Sequence, residues 1–145
     1  MPILTSKHCR LLPEPADGTR ILVMRYWPRG VERSRFDAWM RHLAPSSALL
    51  KAFHDLADTP PLFADDSLRT VAWLALMERY KVEMASQQPE LAGLHRRHLD
   101  GETLTLLCGC HDPQRCHRTV LASLILDAAP GNKITRARRG KTAAP

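Results

Sequence analysis

The sequence predicts an α/β fold: a small three-layer domain with a short, mostly parallel sheet and helices on both faces. Three observations carry this. Ile21–Met24 and Thr103–Leu107 are apolar runs too short for helices, and they read as strands buried on both sides. Helix-period sequence fills the space between them, so the two strands are joined by a crossover and pair in parallel. Beyond Thr103–Leu107 the chain breaks at Gly109, turns through Asp112-Pro113 and resumes a helical period at Val120, Leu121, Leu124 and Ile125.

Taken in order, Ile3–Leu12 reads as a first strand, imperfectly alternating, and Pro13–Gly18 as a loop closed by Asp-Gly. The second strand, Ile21–Met24, is stopped by Pro28 and Gly30. Ser34 then caps a short helix whose apolar stripe is Phe36, Trp39, Met40 and Leu43. Ser46 opens another with Leu49, Leu50 and Phe53, ending at His54-Asp55 before a Pro60-Pro61 break. A long helix runs from Asp66 or Ser67 to about Ala85, with Trp73, Leu76, Met77, Tyr80 and Met84 on one core face. Pro89 starts a shorter helix to about Leu99, and Asp100-Gly101 turns into the third strand. Asp112 caps and Pro113 opens the last helix.

A chain of 145 residues, 44% hydrophobic and 25% charged, is expected to fold as one domain over residues 1–130. No apolar run approaches the roughly 20 residues of a membrane span, and the opening Met-Pro-Ile-Leu-Thr-Ser lacks a secretory core. The expectation is a cytoplasmic protein with reduced thiols and no membrane partner. Five of the six net positive charges come from Lys133, Arg136, Arg138, Arg139 and Lys141. Residues 131–145 therefore read as a basic, flexible tail, capable at most of weak nucleic-acid contact.

The chemistry concentrates between Cys108 and Arg118, which holds three of the four cysteines, two histidines and two arginines. In open parallel sheets ligands bind beyond the carboxyl ends of the strands, so Arg25 and Arg29 are expected beside this segment. Arg25, Arg29, Arg115 and Arg118, with Cys108 and Cys110, form the candidate ligand-binding set, facing the start of the last helix as an anion clamp. Cys116 and His117 are the candidate catalytic pair, because a helix dipole and neighbouring cations favour a thiolate. Against this, Cys116 shares a face with Val120 and Leu124 and is also readable as a small core residue. Cys9 reads as a buried thiol.

Three sharper readings compete for the cluster. Zinc on Cys108, Cys110, Cys116 and His117 has the right donor types, but structural sites usually place two to four residues between paired ligands, and neighbours such as Cys116 and His117 seldom share one tetrahedral ion. A phosphatase Cys-x5-Arg loop fails by count, since Gln114 and Cys116 stand at the arginine positions. A Cys-x4-Arg loop of the rhodanese kind is met by Cys110 and Arg115, though Pro113 and the following Cys-His-Arg are foreign to it.

The segments Arg20-Ile-Leu-Val-Met-Arg-Tyr-Trp-Pro-Arg-Gly30, Leu43-Ala-Pro-Ser46, Phe53-His-Asp55 and Leu104-Thr-Leu-Leu107 closely resemble the YeaO-like family of bacterial domains, over roughly residues 3 to 128. The ending at Cys108 with Cys116-His117-Arg118 looks like the wider family's form of the third-strand motif. Many members carry tyrosine, alanine or asparagine-type residues there, so the resemblance implies no thiol chemistry for the family as a whole. It implies a small α/β three-layer fold and supplies no reaction. The leading expectation is a small anionic or phosphate-bearing ligand at the strand ends, with thiol-dependent catalysis and no cofactor or metal. The alternatives are a non-catalytic nucleotide- or nucleic-acid-binding module, and a metal-binding or redox protein using Cys108, Cys110 and Cys116.

Overall fold

In the computed structural model, which describes residues 4–58, 67–110 and 112–128, the strands are β1 (Leu4–His8), β2 (Thr19–Leu22), β3 (Ala38–Trp39) and β4 (Leu104–Cys108). They form one sheet in the order β1-β4-β2-β3, and every pairing is parallel. β4 lies between β1 and β2, with Leu104 opposite both Leu4 and Thr19. All five of its residues are buried, as a centre strand covered on both faces requires. The crossover from β2 to β4 therefore joins adjacent parallel strands, and the α/β class with a parallel sheet holds.

The α-helices are α1 (Ser47–Asp58), α2 (Ser67–Met84), α3 (Gln88–Leu99) and α4 (His117–Asp127). Their fully buried residues, among them Leu49, Met77, Tyr80, Leu94 and Leu121, join Ile21, Val23, Leu104, Leu106 and Cys108 in one core. The opposite sheet face presents Leu22 and Leu107, which pack with Cys9, Trp27, Phe36 and Trp39. That third layer is an aromatic knot on a looped segment instead of a helical layer. Trp27 meets Phe36 and Trp39 edge-on at 5.4 and 5.3 Å, and the Trp39 indole donates to the Met24 carbonyl at 2.8 Å.

The helix expected from Ser34 is accordingly absent. Its residues form short 3-10 turns at Arg33–Arg35 and Arg41–Leu43 on either side of β3. The cause is the edge of β2. The Asp37 amide donates to the Arg20 carbonyl, the Met40 amide donates to Leu22, and the Asp37 carboxylate accepts the Arg20 amide. Sheet-edge groups that need partners outcompete a short helix of modest propensity. β1 likewise ends at His8, and Leu11 and Leu12 are exposed. At the other end, Asp112 caps a 3-10 turn, Pro113–Arg115, and α4 opens only at His117 with Cys116 as its extended N-cap. The expected basic tail and the Pro60-Pro61 break lie outside the described residues. No described helix is long and apolar enough to cross a membrane.

Candidate functional site

β4 ends at Cys108, the chain crosses Gly109 to Cys110, and it returns at Cys116 and His117 to begin α4. The side-chain donor atoms of these four residues all lie within 4.8 Å of one another. The Cys108 and Cys110 sulfurs are 3.7 Å apart, and His117 Nδ1 is 3.9 Å from both Cys108 Sγ and Cys116 Sγ. Cys116 is extended and His117 helical, and this change of backbone direction turns two adjacent side chains toward one point.

His117 is held in a defined tautomer. Its Nε2 lies 2.7 Å from the carbonyl of Val23, just beyond the end of β2. A carbonyl only accepts, so Nε2 carries the proton and Nδ1 keeps its lone pair toward the sulfurs. The Tyr80 ring packs edge-on against the imidazole at 5.5 Å. Burial holds the Tyr80 hydroxyl well above its ordinary pKa, so it stays a neutral donor to the Leu43 carbonyl at 2.6 Å.

The three thiols are not equivalent. Hydrogen bonds from Cys108 and then Cys116 draw the Cys110 thiol down to about 4 against desolvation, with the Arg118 charge assisting. The Cys116 thiol is raised, because it is the hydrogen-bonded partner of Cys108 and Cys110 and is buried. Cys110 is half-buried, while Cys108, Cys116 and His117 are buried. Burial also raises the Cys9 thiol, in keeping with an inert core residue.

The arginines divide. Arg25 lines a hollow of about 240 Å³ together with Cys108, Cys110, Arg115 and His117. Its Nε and Nη2 donate to the carbonyls of Pro45 and Ala44, so it also fixes the opposite rim. Arg115 donates to the Thr70 hydroxyl at 2.9 Å and borders a second hollow of about 330 Å³, which Cys110 also lines. Arg118 is only 4% exposed and donates to the carbonyls of Cys108 and Cys110, with no hydrogen bond at its buried Nε among the described residues. Arg29 is exposed and does not border either hollow, and its carbonyl accepts from Arg10.

Sequence reading passed over Tyr26, His54 and the Ala44-Pro45 rim as parts of this site. A signal for them existed. Leu43–Ser46 and Phe53–Asp55 are segments that carry the family resemblance, and both border the hollow beside Cys110.

A family model described as "Active DUF488-N3 subclade" matches residues 5–129. The chain belongs to this family. The uncharacterised protein YeaO of Escherichia coli K12 is 32% identical over 122 residues, 79% of this chain and 91% of its own length. Uncharacterised proteins of Mycobacterium bovis and Mycobacterium tuberculosis are each 30% identical over 115 residues, 77% of this chain and 84% of theirs. The resemblance to the YeaO-like family is thereby established, and this DUF488-N3 chain carries a Cys/His cluster at its strand ends. No solved structure gave a significant match.

Proposed function

We propose that residues 1–130 form a metal-binding domain in which Cys108, Cys110, Cys116 and His117 hold one soft divalent cation, zinc in the cell. The observation that carries this is the convergence of four donor atoms within 4.8 Å, one of them a histidine nitrogen whose lone pair is aimed by a backbone carbonyl. Around a tetrahedral zinc, with sulfur at about 2.3 Å and nitrogen at about 2.0 Å, donor atoms stand about 3.5–3.8 Å apart. The separations of 3.7 and 3.9 Å need only small adjustments to reach that geometry. The Val23 carbonyl supplies the outer hydrogen bond that orients a ligating imidazole.

Charge supports the same reading. Three thiolates, a neutral imidazole and a dication sum to one negative charge, and the buried Arg118 guanidinium beside Cys108 and Cys110 offsets it. What weighs against zinc is the adjacency of Cys116 and His117, and the change from extended to helical backbone between them brings both donors to one point. Here the strand end supplies one pair and the helix start the other.

Protein purified without chelator is expected to contain one zinc per chain by elemental analysis. Cobalt substitution should give the intense visible bands of a tetrahedral thiolate site. Serine at Cys108 or Cys116, or alanine at His117, should abolish stoichiometric metal. A metal-free chain with four titratable thiols, indifferent to added zinc or cobalt, would remove this reading.

One observation favours a second reading, a thiol-dependent site. Cys110 is the half-exposed thiol, borders both hollows and is the one held low. In that case the nucleophile is Cys110, with Cys116 and His117 behind it, and Arg25 and Arg115 would receive an anionic substrate. Iodoacetamide should then label Cys110 below pH 7 and phosphate should slow the labelling. Either reading needs reduced thiols, which makes the cytoplasm the setting we propose.

A further inference from the structure

Resting on the metal reading above, we propose that the four ligands divide into three that are fixed and one that exchanges. Cys108, Cys116 and His117 hold the cation, and Cys110 yields its place to a small ligand entering from the hollow. That ligand is a Lewis base with a thiolate or carboxylate head and an apolar body.

Position and burial both separate Cys110 from the other three. Cys108 ends the central strand and is 4% exposed, and its carbonyl accepts from the Cys9 amide. Cys116 is 1% exposed as the N-cap of α4, and His117 is bound to Val23. Each is fixed by an element that cannot move without opening the core. Cys110 stands two residues past the end of β4, is half-buried, and borders both hollows. A purely structural site is closed by four protein ligands, whereas three ligands beside a cavity are the arrangement that admits a substrate. Cys108 and His117 also line the first hollow, but of the four it is Cys110 that is partly exposed and borders both hollows, its backbone tied to Arg118 while its thiol faces the cavities.

The hollow also selects what enters. Met24, Leu50, Phe53 and Pro45 make its wall apolar, and Arg25 and Arg115 place positive charge at its border. An anionic donor atom on an apolar body satisfies both. For a thiol ligand the exchange balances without redox change. The Cys110 sulfur–metal bond breaks, the ligand's sulfur–metal bond forms, and the thiol proton passes to Cys110. The metal keeps its charge and coordination number.

The test uses the full chain loaded with cobalt, reduced by a phosphine, with 3-mercaptopropionate as the probe. Cys110→Ala is expected to keep one cobalt per chain, with charge-transfer absorption reduced from the three-thiolate to the two-thiolate level. Titrating the probe should restore that absorption. Cys108→Ala should bind metal more weakly than the roughly 10–100-fold loss typical of outer-shell changes. Far-UV circular dichroism and a Cys110→Ser variant guard against a folding artefact. A Cys110→Ala chain as metal-free as Cys108→Ala, or one that keeps cobalt but ignores the probe, overturns the exchange while leaving the metal site standing. A wild-type chain that takes no cobalt overturns both.

Discussion

Asp17 shows how one residue ties the sheet's far end together. It is 1% exposed, ion-paired with Arg20, and accepts Lys7 Nζ at 2.6 Å and the Glu14 amide at 3.0 Å. Burial alone would raise its carboxyl, but the hydrogen bonds from Lys7, Glu14 and Arg20 outweigh it and hold it at about 2. A depressed carboxyl contributes stability above its unfolded value of 3.8, and that contribution is lost as pH falls toward 2. The amount is about 2 kcal/mol, and a urea midpoint measured at pH 6 and again near pH 2 should register the loss. Asp17→Asn leaves Arg20 buried without its counter-charge, so a destabilisation of about 3–5 kcal/mol is expected by denaturant unfolding. Nothing in the spacing of the sequence separates Asp17 from an ordinary turn residue. Asp-Gly was legible as a turn, while the partners Lys7 and Thr105 are brought to it only by the parallel register.

Elements meet through a few specific joints. Gly18 enters β2 at φ +63°, and a Cβ there would stand 2.3 Å from the Thr103 carbonyl oxygen, which accepts the Thr19 amide. Gly18→Ala should therefore part β2 from β4 and cost well over the roughly 1 kcal/mol of Gly/Ala changes at tolerant sites. Chemical unfolding would read this directly. Ser46 joins α1 to α2, because its hydroxyl accepts the Leu49 amide and its own amide donates to Glu83. Ser46→Ala removes that cap and should lower stability by about 1 kcal/mol. The capping role of Ser46 was legible, as was the core stripe of α2. The link to Glu83 was not, since it spans two helices whose packing no local pattern reports. The misread helix at Ser34 has the same origin: apolar residues spaced three apart suit a helix, but Phe36 and Trp39 instead close around Trp27.

For the whole molecule, the proposed metal would pin the end of β4 to the start of α4, and through His117 to the residue that follows β2. Free zinc at about 100 times its dissociation constant should add about 2.7 kcal/mol. Chelation should lower the melting temperature by several degrees, and restored zinc should reverse it. A chain whose melting is indifferent to both would place the stability of this region in core packing alone.

Local sequence determined the short buried strands, the crossover that makes them parallel, the four α-helical stretches and the crowding of thiols after β4. Each depends on period, chain length or turn chemistry, which act over a few residues. Tertiary structure decided which side chains meet. Val23 orients His117 from 94 positions away, Arg25 lines the hollow beside the cluster while Arg29 does not, and Arg118 turns inward to two carbonyls. Ligand spacing along the chain argued against a metal because Cys108 and Cys110 are close and Cys116 and His117 adjacent, and adjacent side chains ordinarily point apart. The donor atoms converge because strand order and the entry angle of α4 bring two separate turns to one point, and those are properties of the packed sheet.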